Sequence, residues 1–126
     1  MPERQSGTSQ AVAGAEPWSE EAVALDLKNG QPLFVYFTAD WCLTCKANEA
    51  AAIDREEVRK AFNIAGVRVL AGDWTNGDPK ITRFLESRER VGVPLYLWYE
   101  PGQEVEELPQ ILTPRMLIAR AQRPRR

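Results

Sequence analysis

The sequence predicts an α/β domain in which a mixed central sheet carries helices on both faces. Three observations lead there. Strand-like runs alternate with segments whose apolar residues recur at helical spacing, a succession that makes right-handed crossovers and parallel pairing. The run Leu33 to Thr38 is unbroken apolar and aromatic, as in a central strand covered on both faces. Late in the chain, Pro101-Gly102 makes a turn from which "QEVEEL" can pair back as an antiparallel hairpin strand.

Taken in order, Trp18, Ala22 and Leu25 mark a first helix running to Lys28, with Ser19 as its N-cap. Asn29 to Pro32, "NGQP", stops it and turns the chain into the Leu33–Thr38 strand. A helix is expected from near Trp41 to about Ile53, with Leu43, Ala47, Ala50 and Ala51 as its apolar stripe. Asp54 followed by Glu57 reads as a capping box opening the next helix, whose Val58, Ala61 and Phe62 face inward. Past Gly66, Val67 and Val69 alternate about Arg68 as a second strand. "TNGDP" is a loop ending at Pro79, a good first residue for a helix carrying Ile81, Phe84 and Leu85. After Gly92, "VPLYLWYE" is a third strand in which Tyr96, Trp98 and Tyr99 read as sheet packing. Thr113 caps and Pro114 begins a last helix with Leu117, Ile118 and Ala121.

The chain has 126 residues, enough for one modest core. Residues 1–16, rich in Ser, Gly, Gln and Ala, read as a disordered linker or leader, 17–122 as the folded domain and 123–126 as a basic, frayed tail. The leader lacks the apolar core of a signal peptide and suggests a piece of a larger protein. A net charge of −2 argues against nucleic acid as a main partner. No apolar run approaches the roughly 20 residues that span a bilayer, so no direct membrane insertion by this chain is expected; a monomer is expected. Histidine is absent, which removes the usual metal ligand and the usual general base near neutral pH. Chemistry must come from thiols, carboxylates, lysine or tyrosine.

Both cysteines of the chain lie in "FVYFTADWCLTCKANEAA", three apart, where strand gives way to helix. Unsatisfied amides at a helix N-terminus stabilise a thiolate at Cys42, and the thiolate is the species that attacks a disulfide. Leu43 and Thr44 set Cys45 about one turn deeper, where it can close a disulfide with Cys42 or resolve a mixed one. Zinc asks for about four ligands, which two cysteines without histidine do not supply. Two thiolates holding a soft monovalent metal such as Cu(I), and a purely structural disulfide, stand as the competing readings. So short a loop gains little from a structural crosslink, and redox chemistry is preferred, with no cofactor beyond a Cys42–Cys45 disulfide and no metal.

"FTADWCLTCKANE" resembles the active-site segment of the C-terminal, thioredoxin-like domain of the DsbD family of thiol:disulfide interchange proteins. "GDWTNGDPKIT" and "GVPLYLWYEPGQEVEELPQILTP" are similar to that family's downstream segments, so the resemblance runs from about Gln31 to Ala119. It implies a thioredoxin fold and a bacterial periplasmic location as part of a membrane-anchored protein. It also implies a relay of electrons from the parent's transmembrane domain to its N-terminal domain, by exchange with protein thiols and disulfides. A stand-alone thioredoxin-like reductase is the runner-up. Carried over by position, Cys42 resembles the nucleophile, Cys45 the resolving thiol and Pro94 the proline that is cis beside the disulfide, leaving the Val93 backbone to pair with an incoming segment. Glu49 matches a glutamate that influences the cysteine pKa values and could accept the Cys45 proton. Trp41 and Asp40 flank the motif as candidate partner-binding residues. One departure stands out: the buried aspartate found in well-studied relatives six residues before the first cysteine is Tyr36 here, leaving Glu49 alone in the proton-transfer role.

Overall fold

The structure, a computed structural model, describes residues 14–125. The elements in chain order are β1 (Glu16–Pro17), α1 (Glu20–Lys28), β2 (Leu33–Thr38), α2 (Leu43–Asn48, continued by a π-helical stretch Glu49–Ile53), α3 (Glu56–Ala65), β3 (Arg68–Asp73), α4 (Pro79–Ser87), β4 (Leu95–Tyr99), β5 (Glu106–Glu107) and α5 (Pro114–Ala121). The sheet order is β1-β3-β2-β4-β5. β3 runs parallel to β1 and β2, while β4 is antiparallel to β2 and β5. The mixed sheet expected from the sequence is therefore present.

β2 is buried along its whole length because both of its faces are covered. Phe34 and Tyr36 face a cluster with Ala52, Ile53, Val58, Phe62 and Leu117 from α2, α3 and α5 and with Trp98 from β4. Leu33, Val35 and Phe37 face the opposite cluster with Leu70, Ile81, Leu85 and Leu97, closed by α4 and by Trp18, Ala22, Val23 and Leu27 at the first helix. Successive strand side chains point to opposite faces, so one six-residue strand organises both halves of the core. β3 crosses so close to β2 that a β-carbon at Gly72 would collide with the Phe37 ring.

Caps at Ser19, Asp78 and Thr113 accept the amides of Ala22, Lys80 and Met116, and Pro79 and Pro114 occupy first-turn positions. Several local expectations are corrected. β1 was not anticipated: Glu-Pro has no strand propensity, and it pairs because β3 offers an open edge. Leu25 is 58% exposed and Asp26 is buried in its place, 3.7 Å from Arg68. Asp54 does not cap α3; its amide closes the π turn onto the Glu49 carbonyl, and Arg55 is the N-cap. The stripe Leu43, Ala47, Ala50 and Ala51 is solvent-facing, and Cys45, Asn48, Glu49, Ala52 and Ile53 form the buried face instead. Residues 1–13 of the expected leader and Arg126 of the tail lie outside the described residues.

Candidate active site at the Cys42–Cys45 disulfide

β2 ends at Thr38, and the tight passage Ala39–Trp41 delivers the chain to α2. The Cys42 amide donates to the Ala39 carbonyl at 3.1 Å. Cys42 is extended (φ −95°, ψ 104°) and is itself the N-cap of α2: its Sγ accepts the Cys45 amide at 3.2 Å. In a capping position the sulfur takes the place of the usual Ser or Thr oxygen. Cys42 and Cys45 are joined in a disulfide with Cα atoms 5.2 Å apart, inside the ordinary span for such bonds. Cys42 keeps 8% of its surface exposed and Cys45 none. Ala39 forms a buried cluster with the two cysteines, and Val93 packs against that cluster.

The Val93–Pro94 peptide is cis. The Val93 backbone makes no hydrogen bond to the described residues, although Val93 packs against the cluster of Ala39, Cys42 and Cys45. Pro94 is buried. On the opposite flank, the Asp40 amide donates to Thr75 Oγ1 at 2.9 Å, that hydroxyl donates to Asp73 Oδ1 at 2.5 Å, and the Trp41 indole donates to the Thr75 carbonyl at 3.1 Å. Trp41 remains 58% exposed, with its ring 6.1 Å from that of Trp74. Leu43 beside it is 84% exposed. Thr75 was not singled out from the sequence; the "DWTN" segment that holds it was the available signal.

Glu49 is 7% exposed, one turn past Cys45 on the same helical face. Thr38 Oγ1 donates to its Oε2 at 2.6 Å, and Lys46 Nζ stands 3.2 Å from Oε1 and 3.9 Å from Asp40. The carboxylate is thus sequestered, not solvated. Tyr36 is fully buried in the aromatic core, with its ring 5.8 Å from Phe34. Asn48, also missed from the sequence, is 4% exposed and bonds across to Tyr96 and to residues 110 and 112. Burial pushes the Tyr96 hydroxyl up to about 12; the nearby Glu49 charge adds to this and the Asn48 hydrogen bond opposes it. Among the described residues, no three or more His, Cys, Asp or Glu side chains gather as a metal site.

This arrangement can do one kind of chemistry well. A sulfur with an amide pointing at it and a limited opening to solvent can carry negative charge and attack. Its buried mate can close the ring again, and the buried Glu49 side chain lies one turn further along the same helix face.

The family model described as Thioredoxin-like matches residues 14–101. Among curated proteins, the chain is 32% identical over 85 residues to the thiol:disulfide interchange protein DsbD of Klebsiella pneumoniae, covering 67% of this chain and 14% of that one. It is 28% identical over 109 residues to the protein of that name from Ralstonia nicotianae, covering 75% and 18%. The chain therefore spans only a small fraction of these relatives. Among solved structures, the oxidised C-terminal domain of Neisseria meningitidis DsbD superposes with a TM-score of 0.65 at 21% identity, covering 83% of this chain and 95% of that one. Trxlp from Edwardsiella tarda gives 0.63 at 25% identity, covering 86% and 99%.

Proposed function

The chain belongs to the thioredoxin-like family, and from that premise we propose that it is a thiol:disulfide oxidoreductase working through Cys42 and Cys45. The observation that carries this is the Cys45 amide held on Cys42 Sγ at the tip of α2, with Cys42 partly open and Cys45 sealed. In the reduced protein that amide donates to the Cys42 thiolate and lowers the cost of its charge. The thiolate attacks a partner disulfide, forming a Cys42–partner bond and releasing one partner thiolate, which takes up a proton. Cys45 then gives its proton to Glu49 and attacks Cys42 Sγ. The mixed bond breaks, the partner's second sulfur leaves as a thiolate and is protonated, and the Cys42–Cys45 disulfide is restored. Two electrons pass from this chain to the partner.

Partner segments dock on the exposed apolar side formed by Trp41 and Leu43, along the unpaired Val93 backbone, with Pro94 beneath and Asp40 at the rim. The similarity to DsbD supports a finer role: a periplasmic domain re-reduced by a membrane-embedded partner of the same protein and oxidised by another of its domains. No described helix is long and apolar enough to cross a membrane. The test is equilibration of the Cys42–Cys45 couple against glutathione, alongside reduction of a protein disulfide. Motifs of this type span about −270 to −120 mV; a value at the oxidising end overturns the reductant role, and failure to exchange at all overturns the enzyme.

A further inference from the structure

One buried amide joins the helix that bears the thiols to the segment that bears Pro94. Asn48 Oδ1 accepts the Leu112 amide at 3.1 Å, and Nδ2 donates to the Gln110 carbonyl at 2.7 Å and to the Tyr96 hydroxyl at 2.9 Å. The side chain has one orientation, because a backbone N–H can face only the amide oxygen and a backbone carbonyl only the nitrogen. Gln110 carries the connection onward: its Nε2 donates to the Pro94 carbonyl at 2.9 Å. The Leu108 amide still pairs with the Tyr96 carbonyl in strand fashion at 2.9 Å. Two residues further, it is the Gln110 side chain, not its backbone, that reaches Pro94. Arg90 touches the same carbonyl at 3.5 Å and is held by Glu107 at 3.0 Å.

The path Asn48–Gln110–Pro94 therefore runs from one turn below Cys45 to the residue after Val93, which packs against the cluster formed by Ala39 and the two cysteines. Neither Asn48 nor Gln110 touches sulfur in any hydrogen bond of the described residues. We propose that Asn48 and Gln110 are positioning residues that set where the Val93–Pro94 segment stands relative to the cysteine pair, and so how well a partner's disulfide docks. Both roles presuppose the exchange function proposed above. They act on partner binding and not on the reactivity of Cys42 itself.

Gln110 is exposed, so Gln110→Ala leaves the core intact; Asn48→Leu keeps the volume, adds no charge near the thiols and removes the bonds to Gln110 and Leu112. In steady-state reduction of insulin with a dithiol recycling the enzyme, losing these hydrogen bonds raises KM about three- to tenfold in either variant, with kcat little changed. The rate at which reduced Cys42 attacks oxidised glutathione, too small to span the docking segment, stays at the parent value. An unchanged KM in Gln110→Ala overturns the proposal while leaving the exchange function standing. An equal loss against glutathione disulfide also overturns it, since the effect would then lie in the thiols. A parent protein that reduces neither substrate removes the exchange function first and this proposal with it.

Discussion

Two glutamates in this molecule are almost equally buried, Glu49 at 7% and Glu100 at 8%, yet they are compensated in opposite ways. Glu100, just past β4, is gripped by the Arg125 guanidinium at 2.8 and 2.9 Å and by the Trp98 indole at 2.9 Å. Burial alone would raise its proton affinity, but the Arg125 and Trp98 hydrogen bonds with the arginine charges outweigh it and hold the carboxyl below its usual range. Glu49 has a neutral hydroxyl on one oxygen and a half-open lysine on the other. A forked arginine pair is geometrically saturated and pins its carboxylate; Glu49 is held without a fork, by one hydroxyl and one partly exposed ammonium. Burial of an acid is thus no signal of chemistry by itself. The partners decide.

The contrast can be broken most forcefully at the arginine. Arg125→Ala removes the fork from the Glu100 carboxylate while Trp98 and the Arg123 charge remain, and should cost about 1–2 kcal/mol, read as a lower urea midpoint. The potential of the Cys42–Cys45 couple should not move. At the other carboxylate the order reverses: Glu49→Gln should lower the thiol pKa values, by removing a nearby negative charge, and slow resolution by about tenfold or more. Thiol titration by alkylation and stopped-flow exchange read both; unchanged titration and rates would remove Glu49 from the mechanism.

Acid and alkali should separate the two ends further. Glu100 and Glu106, the latter held low first by the Arg120 hydrogen bond, bind protons less readily folded than unfolded. Their stabilisation is present above the ordinary carboxylate value of 4.5 and is lost as pH falls toward the lower folded values. Glu100→Gln should flatten that acid limb in pH-dependent unfolding. Tyr96 is the reverse: its hydroxyl ionises near 10 unfolded and about 12 folded, so its contribution is intact below 10 and is lost between those values. Tyr96→Phe should remove its share of the alkaline limb while leaving the acid limb alone. The smallest effect is expected from Lys46→Ala, whose partly exposed pair with Glu49 is worth at most about 0.5–1 kcal/mol of stability.

Much of the fold is local chemistry and could be read in one dimension. The caps at Ser19 and Thr113, the prolines at 79 and 114, the unbroken run Leu33–Thr38 and the turn after Tyr99 each act on their own few residues, and each element appears. The cysteine spacing at a strand-to-helix junction is equally local, and it led directly to a disulfide. What escaped was set by neighbours distant in sequence. Glu16-Pro17 became a strand only because β3 left an edge beside it. Arg125, read as part of a frayed tail, has a partner 25 residues away.

The rotation of α2 shows why. Judged by hydropathy, Leu43 and the alanines should point inward, but Cys45 must face Cys42 and the sheet, and that choice carries Asn48 and Glu49 inside with it. Hydropathy counts the cost of burying polar atoms as though they were unpartnered. Thr38, Tyr96 and the 110–112 loop, brought together from three separate stretches, remove that cost. Composition, spacing and capping determined that this chain would be an α/β domain with two thiols at a helix tip. Which polar groups lie beneath those thiols was decided only when the tertiary structure supplied the hydrogen bonds that make their burial tolerable.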